Sequence, residues 1–467
     1  MNATKEKGES LLNNKDFACG DGVRFILSAL KENGEKAYTV GGCVRDTLLG
    51  REPNDWDICT SALPERTAGI FRGLGCGVIE TGLKHGTVTV RYHGENYEVT
   101  TFRKDCTYSD NRHPDAVEFV SDIKEDLSRR DFTINAMAYA PGEDVIDPFG
   151  GQTDLRFGII RCVGDQRERF SEDALRILRA MRFASRYGFV IEPETKDAML
   201  ALRGLLNNIA YERIREELLG ILSGQDAASI LREYQPIVTQ VIPELSATVG
   251  FDQKSLWHIY DVWEHSLHVV DSIPADKPLL RFTGLVHDIA KPKCAQLKED
   301  GRHLRFHGHG EAGEPIVRNI MNRLRFSNAE IGSVTELVRI HDNFIDPTPR
   351  AVRRLLGNIG EQQFLDLMVL RKADISAQAE HENAVRYAKL VTLRCLARDI
   401  TAKNECFSLK DLAVNGRDLI AAGIASGPEL GKLLAALLDA VLEDPSKNTK
   451  EELLRLAQQL KEEENHV

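Results

Sequence analysis

An α+β chain is predicted: a small mixed sheet flanked by helices up to about Ala140, then a remainder built almost wholly of helices. Three observations predict it. Residues 86–92 and 97–102 alternate in polarity and are rich in Val and Thr, the pattern of a hairpin turned at Gly94. Beyond Ala140 the apolar residues recur at helical spacing, most clearly Ala174, Ile177, Leu178, Met181 and Ala184. Breaks at Pro243, Pro274, Pro292, Pro347 and Gly427-Pro428 divide helical sequence.

In chain order, 17–31 reads as a helix, 37–40 as a strand, 42–49 as a helix, 56–59 as a strand and 64–72 as a helix. The hairpin follows. Residues 173–187 read as one helix, and 444–467 as a charged helix with a solvated face. There is no internal repeat. A composition of 42% apolar and 28% charged residues is that of a soluble globular protein. No apolar run is long enough to span a membrane, and the first sixteen residues lack a secretory pattern. The nine cysteines are scattered without Cys-x-x-Cys spacing, so reduced thiols and a cytoplasmic location are expected. A net charge of −11 argues against indiscriminate coating of nucleic acid. It permits binding of one folded RNA through local basic surface, for which Arg129, Arg130, Arg176, Arg179, Arg182 and Arg186 are available. Neither a membrane nor a protein partner is inferred.

The chemistry concentrates first in Val40-Gly41-Gly42-Cys43-Val44-Arg45-Asp46 and Asn54-Asp55-Trp56-Asp57. Read as strand residues i and i+2, Asp55 and Asp57 aim four oxygens at one point. Such a pair suits Mg²⁺ serving a substrate phosphate. The glycines let phosphates approach the backbone, and the following helix offers its N-terminus. Taken alone, Asp-Trp-Asp also fits a solvated turn. Cys43 reads as a small packing residue.

Val40 to Asp57 resembles the signature of the polymerase-β-like nucleotidyltransferases, in the form found in bacterial tRNA CCA-adding enzymes and poly(A) polymerases. Four further blocks keep that family's order: 126–136, 147–155, 172–179 and 212–218. The resemblance is strong from about 37 to 220 and looser to the C-terminus. It implies a nucleotidyltransferase head at 18–145, a helical neck with a base-recognition helix at 146–235, a helical body at 236–350 and a tRNA-binding tail at 351–467. The implied reaction is template-independent addition of CCA to the 3′ end of tRNA from CTP and ATP, with release of pyrophosphate.

Such transfer uses two Mg²⁺ ions, with Asp55 and Asp57 as expected ligands. Glu98 fits a third ligand on a neighbouring strand and equally a polar strand residue facing water. Gly42, Arg45 and Arg130 are expected at the triphosphate; Arg129 fits a surface charge as well. Asp173 and Arg176, read as i and i+3 of one helix, form either an exposed ion pair or a protein template. An Asp accepts and an Arg donates. Cytosine and adenine show an amino donor beside an acceptor nitrogen, so the pair suits C and A and mismatches G and U. The family uses its Asp and Arg this way. Arg179 continues the face, to stack or bind phosphate. Arg182, turned about 180° from Asp173, reaches the nucleotide only around the helix or binds RNA phosphate. The polar segment 108–114, with Asp110 and Arg112, resembles the family's flexible loop for adding the final A, which favours full CCA addition.

A second series, His265, His287-Asp288, His307-Gly308-His309 and His341-Asp342, has donors suited to borderline divalent metals. It resembles the HD phosphohydrolase domain that some CCA-adding enzymes carry. A divalent metal (Ni²⁺, Mn²⁺ or Mg²⁺) at His265, His287, Asp288 and His309, with phosphoester hydrolysis, is the implied accessory function. A vestigial domain serving as helical body is the alternative. Residues 412–431 resemble the family's tail, where a glycine connection either offers backbone N–H groups to RNA phosphate or ends a helix. Three rivals remain open: a poly(A) polymerase, for which a pI near 5.7 is unfavourable; an enzyme adding only A; and a phosphohydrolase whose nucleotidyltransferase part only binds RNA.

Overall fold

The computed structural model describes residues 19–83, 86–105, 117–255, 257–380, 383–424 and 427–464. They form two compact units that divide between Pro243 and Glu244.

The first unit opens with α1 (Asp21–Glu32), which buries Val23, Ile26, Leu27 and Leu30, one helical face. Next come β1 (Ala37–Val40), α2 (Gly42–Leu48), β2 (Ile58–Thr60), α3 (Pro64–Gly73), β3 (Gly77–Gly82), β4 (Thr87–Tyr92) and β5 (Glu95–Thr101). A short antiparallel pair, β6 (Arg103–Asp105) and β7 (Val117–Phe119), leads to α4 (Ile123–Ser128) and β8 (Ala138–Tyr139). The main sheet has the order β3-β4-β5-β2-β1-β8. Its β2–β5 pairing is parallel and the rest antiparallel, so the sheet is mixed as expected. Ile26, Leu30, Ile58, Phe71, Val90 and Val99 fill the core between the helices and one sheet face.

Around the sheet, three elements differ from the sequence reading. The first helix starts at Asp21, because Gly20 is extended (φ −60°, ψ 162°). The strand expected at 56–59 starts at Ile58, so Asp55 and Asp57 lie in the segment that feeds it. The edge strand β3 is not among the strands expected; glycines stand at both its ends, Gly77 and Gly82, and its pairing shifts register between Ile79 and Gly82.

Helices then dominate: α5 (Gly151–Phe157), α6 (Gln166–Glu172), α7 (Leu175–Tyr187), α8 (Pro193–Leu202) and α9 (Tyr211–Leu222), joined by the parallel two-residue pair β9 (Ile159–Ile160) and β10 (Val190–Ile191). The single helix expected at 173–187 is broken. Asp173 is extended (φ −139°, ψ 101°) and ends α6, and Ala174 leads into α7. The physical reason is local: the Asp173 carboxylate accepts the Leu175 amide at 3.1 Å, the capping competition that takes Asp out of helix interiors.

The second unit is helical apart from the two-residue pair Gln296–Leu297 and Leu304–Arg305. Helices Val262–Ser272, Pro278–Val286, Asn328–Ile340, Pro349–Ile359, Glu361–Ser376 and Asn383–Ala402 share one core that includes Val269, Phe364, Leu367 and Leu393. The last helix, Lys450–Glu464, has the solvated face expected, and its opposite side buries Leu453 and Ala457 against Leu437 and Val441. Their i, i+4 spacing makes a narrow apolar stripe that the many charges around it hide. Among the described residues no helix is long and apolar enough to cross a membrane, and every cysteine is free.

Candidate functional site

The Gly-Gly turn forms because only glycine fits it. Gly41 sits at φ 78°, ψ −126°, and a Cβ there would stand 2.8 Å from Arg130 Nη1. Arg130 therefore lies directly over the turn that opens α2 at Gly42. The Val40 amide donates to the Asp57 carbonyl at 3.0 Å, which ties the Asp-Trp-Asp segment to the end of β1. Trp56 packs on the head core while Asp55 and Asp57 are exposed. Among the described residues neither carboxylate accepts a hydrogen bond or forms an ion pair. Although Asp57 is exposed as a residue, the protein around its carboxyl desolvates it and, with the Asp55 charge adding, raises it above the ordinary carboxylate value against the pull of Arg130. Two such neighbouring carboxylates could hold a cation. Glu98 directly precedes Val99, whose partner Ile58 directly follows Asp57, so the two carboxylates lie at the same end of the β2–β5 pairing. Cys43 is buried, its thiol pushed up to about 11 by burial and then Asp57, which suits packing.

The second block supplies a buried polar frame that sequence reasoning missed. Asp126, 1% exposed, holds Arg129 at 2.9 Å and Arg130 at 3.4 Å and accepts the Arg103 amide. Asp131 holds Arg179 at 2.7 Å and Asn135 at 3.1 Å. Asn135 in turn accepts from Arg45 at 2.5 Å. Arg45 is nearly buried, paired with Asp46 and set over the rings of Phe183 and Tyr187. The structure thus commits Arg45 to this frame. Arg182 is likewise committed: it pairs with Glu217 at 2.6 Å, and a Cβ on Gly220 would meet its Cδ at 2.3 Å. The arginines expected to form basic surface are largely matched by acids. The missed signal was the pattern itself, polar residues dense in a block that the fold needs buried.

Burial alone would raise the Asp131 pKa, but Arg179, Asn135 and Arg176 bring it down to about 2. A depressed carboxylate stabilises the fold above its unfolded value of 3.8 and loses that contribution as pH falls through about 2. Asp131→Asn is therefore expected to flatten the acid limb of melting temperature against pH between about 4 and 2. An unchanged acid limb would contradict this.

The structure gives the side chains of Asp173 and Arg176 other partners. With Asp173 off the helix, its carboxylate takes Arg213 of α9, at 2.9 Å. Arg176 is 9% exposed, pairs with Glu172 at 2.7 Å and donates to the carbonyls of Arg169 and Arg129. Both groups stand at the α6–α7 junction, each oriented by a partner that sequence reasoning did not name. Asp110 and Arg112 lie outside the described residues.

In the second unit the structure brings His265, His287, Asp288 and His309 together and adds His341 and Asp374. All four imidazoles are buried. Asp374 was missed because it sits in a helix with no neighbouring ligand residue. His307 is exposed and lines the cavity above the cluster. Nε2 of His265 and His287 and both oxygens of Asp288 make no well-formed hydrogen bond, although Lys291 Nζ lies 2.6 Å from Asp288 Oδ2. The donor set suits a borderline divalent metal.

The chain matches the Poly A polymerase head domain over residues 37–161, the probable RNA and SrmB-binding site of polymerase A over 188–247, and a putative tRNA nucleotidyltransferase domain 2 over 312–457. It is 35% identical to the CCA-adding enzyme of Levilactobacillus brevis over 89% of this chain and 91% of that one. It is 34% identical to the CCA-adding enzyme of Lactiplantibacillus plantarum, over 94% and 96%. Its structure resembles the crystal structure of the Bacillus stearothermophilus CCA-adding enzyme in complex with CTP, with a TM-score of 0.70 and 30% identity over 96% and 98% of the two chains. The fold is also shared with the Thermotoga maritima CCA-adding enzyme complexed with tRNA, at TM-score 0.59 and 21% identity over 97% of both.

Proposed function

The chain belongs to the CCA-adding enzyme family, and from that premise we propose that Asp55 and Asp57 hold the divalent cations of nucleotidyl transfer while Asp173 and Arg176 read the incoming base. The enzyme is a nucleotidyltransferase that completes the 3′ CCA end of tRNA from CTP and ATP. The observation that carries the site assignment is the exposed, unpartnered carboxylate pair beside the Gly41 turn and Arg130.

The residues present fit Mg²⁺: hard oxygen donors, mutually repelling, with Glu98 at the same end of the neighbouring strand as a third. Bound there, Mg²⁺ would activate the 3′-hydroxyl and neutralise the leaving pyrophosphate. The chain's own part is placement. Gly41 and Gly42 leave the backbone open to phosphate, and Arg130, oriented by Asp126, stands over the turn. Arg179 is held by Asp131 on the same helix as Arg176. Arg45 and Arg182 serve this frame from within. A carboxylate offers about four lone-pair positions, so Asp173 can accept a base amino group while Arg213 keeps it aimed. We place the head at 18–145, the neck at 146–235, the body at 236–350 and the tail at 351–467, and the protein in the cytoplasm, where its free thiols stay reduced.

Incubating the protein with tRNA lacking its end, and with each nucleotide singly, tests the reading. CTP alone should add two residues, and ATP should add one only after them. Addition of A alone, or of an A tract, would replace it with a rival reading. Changes at Asp110 or Arg112 should spare C addition and slow the last A by about tenfold or more. Equal loss of both would remove the loop from the specificity switch.

A second reading is favoured by the buried convergence of His265, His287, Asp288 and His309. The body holds a divalent metal there (Ni²⁺, Mn²⁺ or Mg²⁺), supporting an accessory phosphohydrolase activity.

A further inference from the structure

We propose that Phe344 is a stacking platform for an unpaired RNA strand, a site built by the second unit alone. Phe344 is 79% exposed, more than any other large apolar side chain among the described residues. The loop that carries it holds it there. Arg371, on the helix Glu361–Ser376, donates from Nη2 to the Ile340 carbonyl at 3.1 Å and to the Asn343 carbonyl. The Asn343 amide donates to the same Ile340 carbonyl at 3.1 Å. On the other side of Phe344, Ile345 packs against the helical core. With the chain fixed before and after it, the ring stays in solvent and forgoes burial.

One exposed ring alone would mean nothing. This one stands between two cavities that are both lined by cations. The larger, of about 720 Å³, is reached by Arg339, Arg350 and Arg354. The smaller, of about 240 Å³, is reached by Arg371, Arg386 and Lys389. Phe344 lines both, and Lys389 Nζ lies 5.6 Å from its ring centroid. These six cations meet four carboxylates in the same walls, Glu336, Asp342, Asp346 and Asp374, in a chain whose net charge is −11. The helix Pro349–Ile359 begins at the wall of the larger cavity and adds the positive end of its dipole.

Three of the cations already have acidic partners. Glu336 holds Arg339 at 2.6 Å, Glu443 holds Arg350 at 2.6 Å and Asp439 holds Arg354 at 2.5 Å. All three pairs are open to water, and exposed pairs of this kind are weak. A phosphate can therefore join them without leaving a buried charge alone, unlike the Asp126 pairs of the head.

A ring with cations on both sides fits a strand better than a single small ligand. One base stacks on the ring while the phosphates before and after it reach the guanidiniums. Duplex RNA keeps its base faces covered, so the ring favours unpaired segments. Stacking and charge are tolerant of sequence, so the platform takes any base.

The test uses the full chain and a labelled oligouridylate, read by fluorescence anisotropy at low salt. Phe344→Ala should weaken binding about tenfold or more, and Phe344→Trp should restore it. In the Trp variant the added indole emission should be quenched by the oligomer, which a merely structural ring would not show. Lys389→Gln or Arg350→Gln should weaken binding and lower the salt slope by about one. A blunt RNA duplex of the same length should bind about tenfold more weakly than the strand. Phe344 lies outside the helical core, so unchanged melting temperatures verify that each variant is folded. Unchanged affinity in Phe344→Ala, with no quenching in Phe344→Trp, overturns the platform. Duplex bound as tightly as strand overturns the preference for unpaired RNA. Uridine monophosphate bound as tightly as the oligomer overturns the strand and leaves a mononucleotide pocket.

Discussion

Asp55→Ala and Asp57→Ala are each expected to lower CCA addition by at least about 10³-fold, on the order of 4 kcal/mol of transition-state stabilisation. The reason is the absence of any substitute. Among the described residues the two carboxylates have no protein partner, and Glu98 on the neighbouring strand would supply at most one of the charges removed. Affinity for tRNA should change by less than about twofold, since neither side chain packs in the core; the intervening Trp56 does that. A gel-shift titration beside a single-turnover assay reads both quantities. Near-normal turnover with Mg²⁺ in either variant would move the metal site elsewhere.

The second large effect concerns fidelity. Asp173→Ala should lower the preference for CTP over UTP by on the order of 10²-fold, through loss of an acceptor matched to the amino group that C and A carry where U and G carry a carbonyl. Arg176→Ala should reduce discrimination and also slow addition, because its guanidinium joins Glu172 to the carbonyls of Arg169 and Arg129. Arg213→Ala frees the Asp173 carboxylate from its 2.9 Å partner and should blur discrimination less than removing it. Misincorporation of UTP and GTP into tRNA ending in C decides the point. Slower addition with unchanged base preference would reduce this junction to holding phosphates.

Local pattern made much of this legible. Alternation at 86–102 located the hairpin, and the helical recurrence of Ile177, Leu178, Met181 and Ala184 located α7. What stayed hidden depends on partners distant in sequence. Whether Asp173 continues a helix depends on its capping of Leu175 and on Arg213, forty residues on. The commitment of Arg45 to Asn135, and of Arg130 to Asp126, follows from tertiary burial that no local window reports. Asp374 joins the histidines only because two helices cross there; in the chain it is one carboxylate among many. The His-Asp pair at 287–288 could be read because its ligands are adjacent in sequence.

The paired arginines have a consequence for how an acidic enzyme handles polyanions. Asp126 keeps its charge in a buried place because two guanidiniums share it. A triphosphate that drew on Arg130 would have to divide that cation with Asp126 rather than strip it away, since the stripped carboxylate would be left buried and alone. The net Coulomb gain would then be modest, and recognition would fall to shape and hydrogen-bond direction. Such a pocket would be lenient toward ionic strength and strict toward geometry, which is what is needed to pick two monomers from a crowded pool of triphosphates.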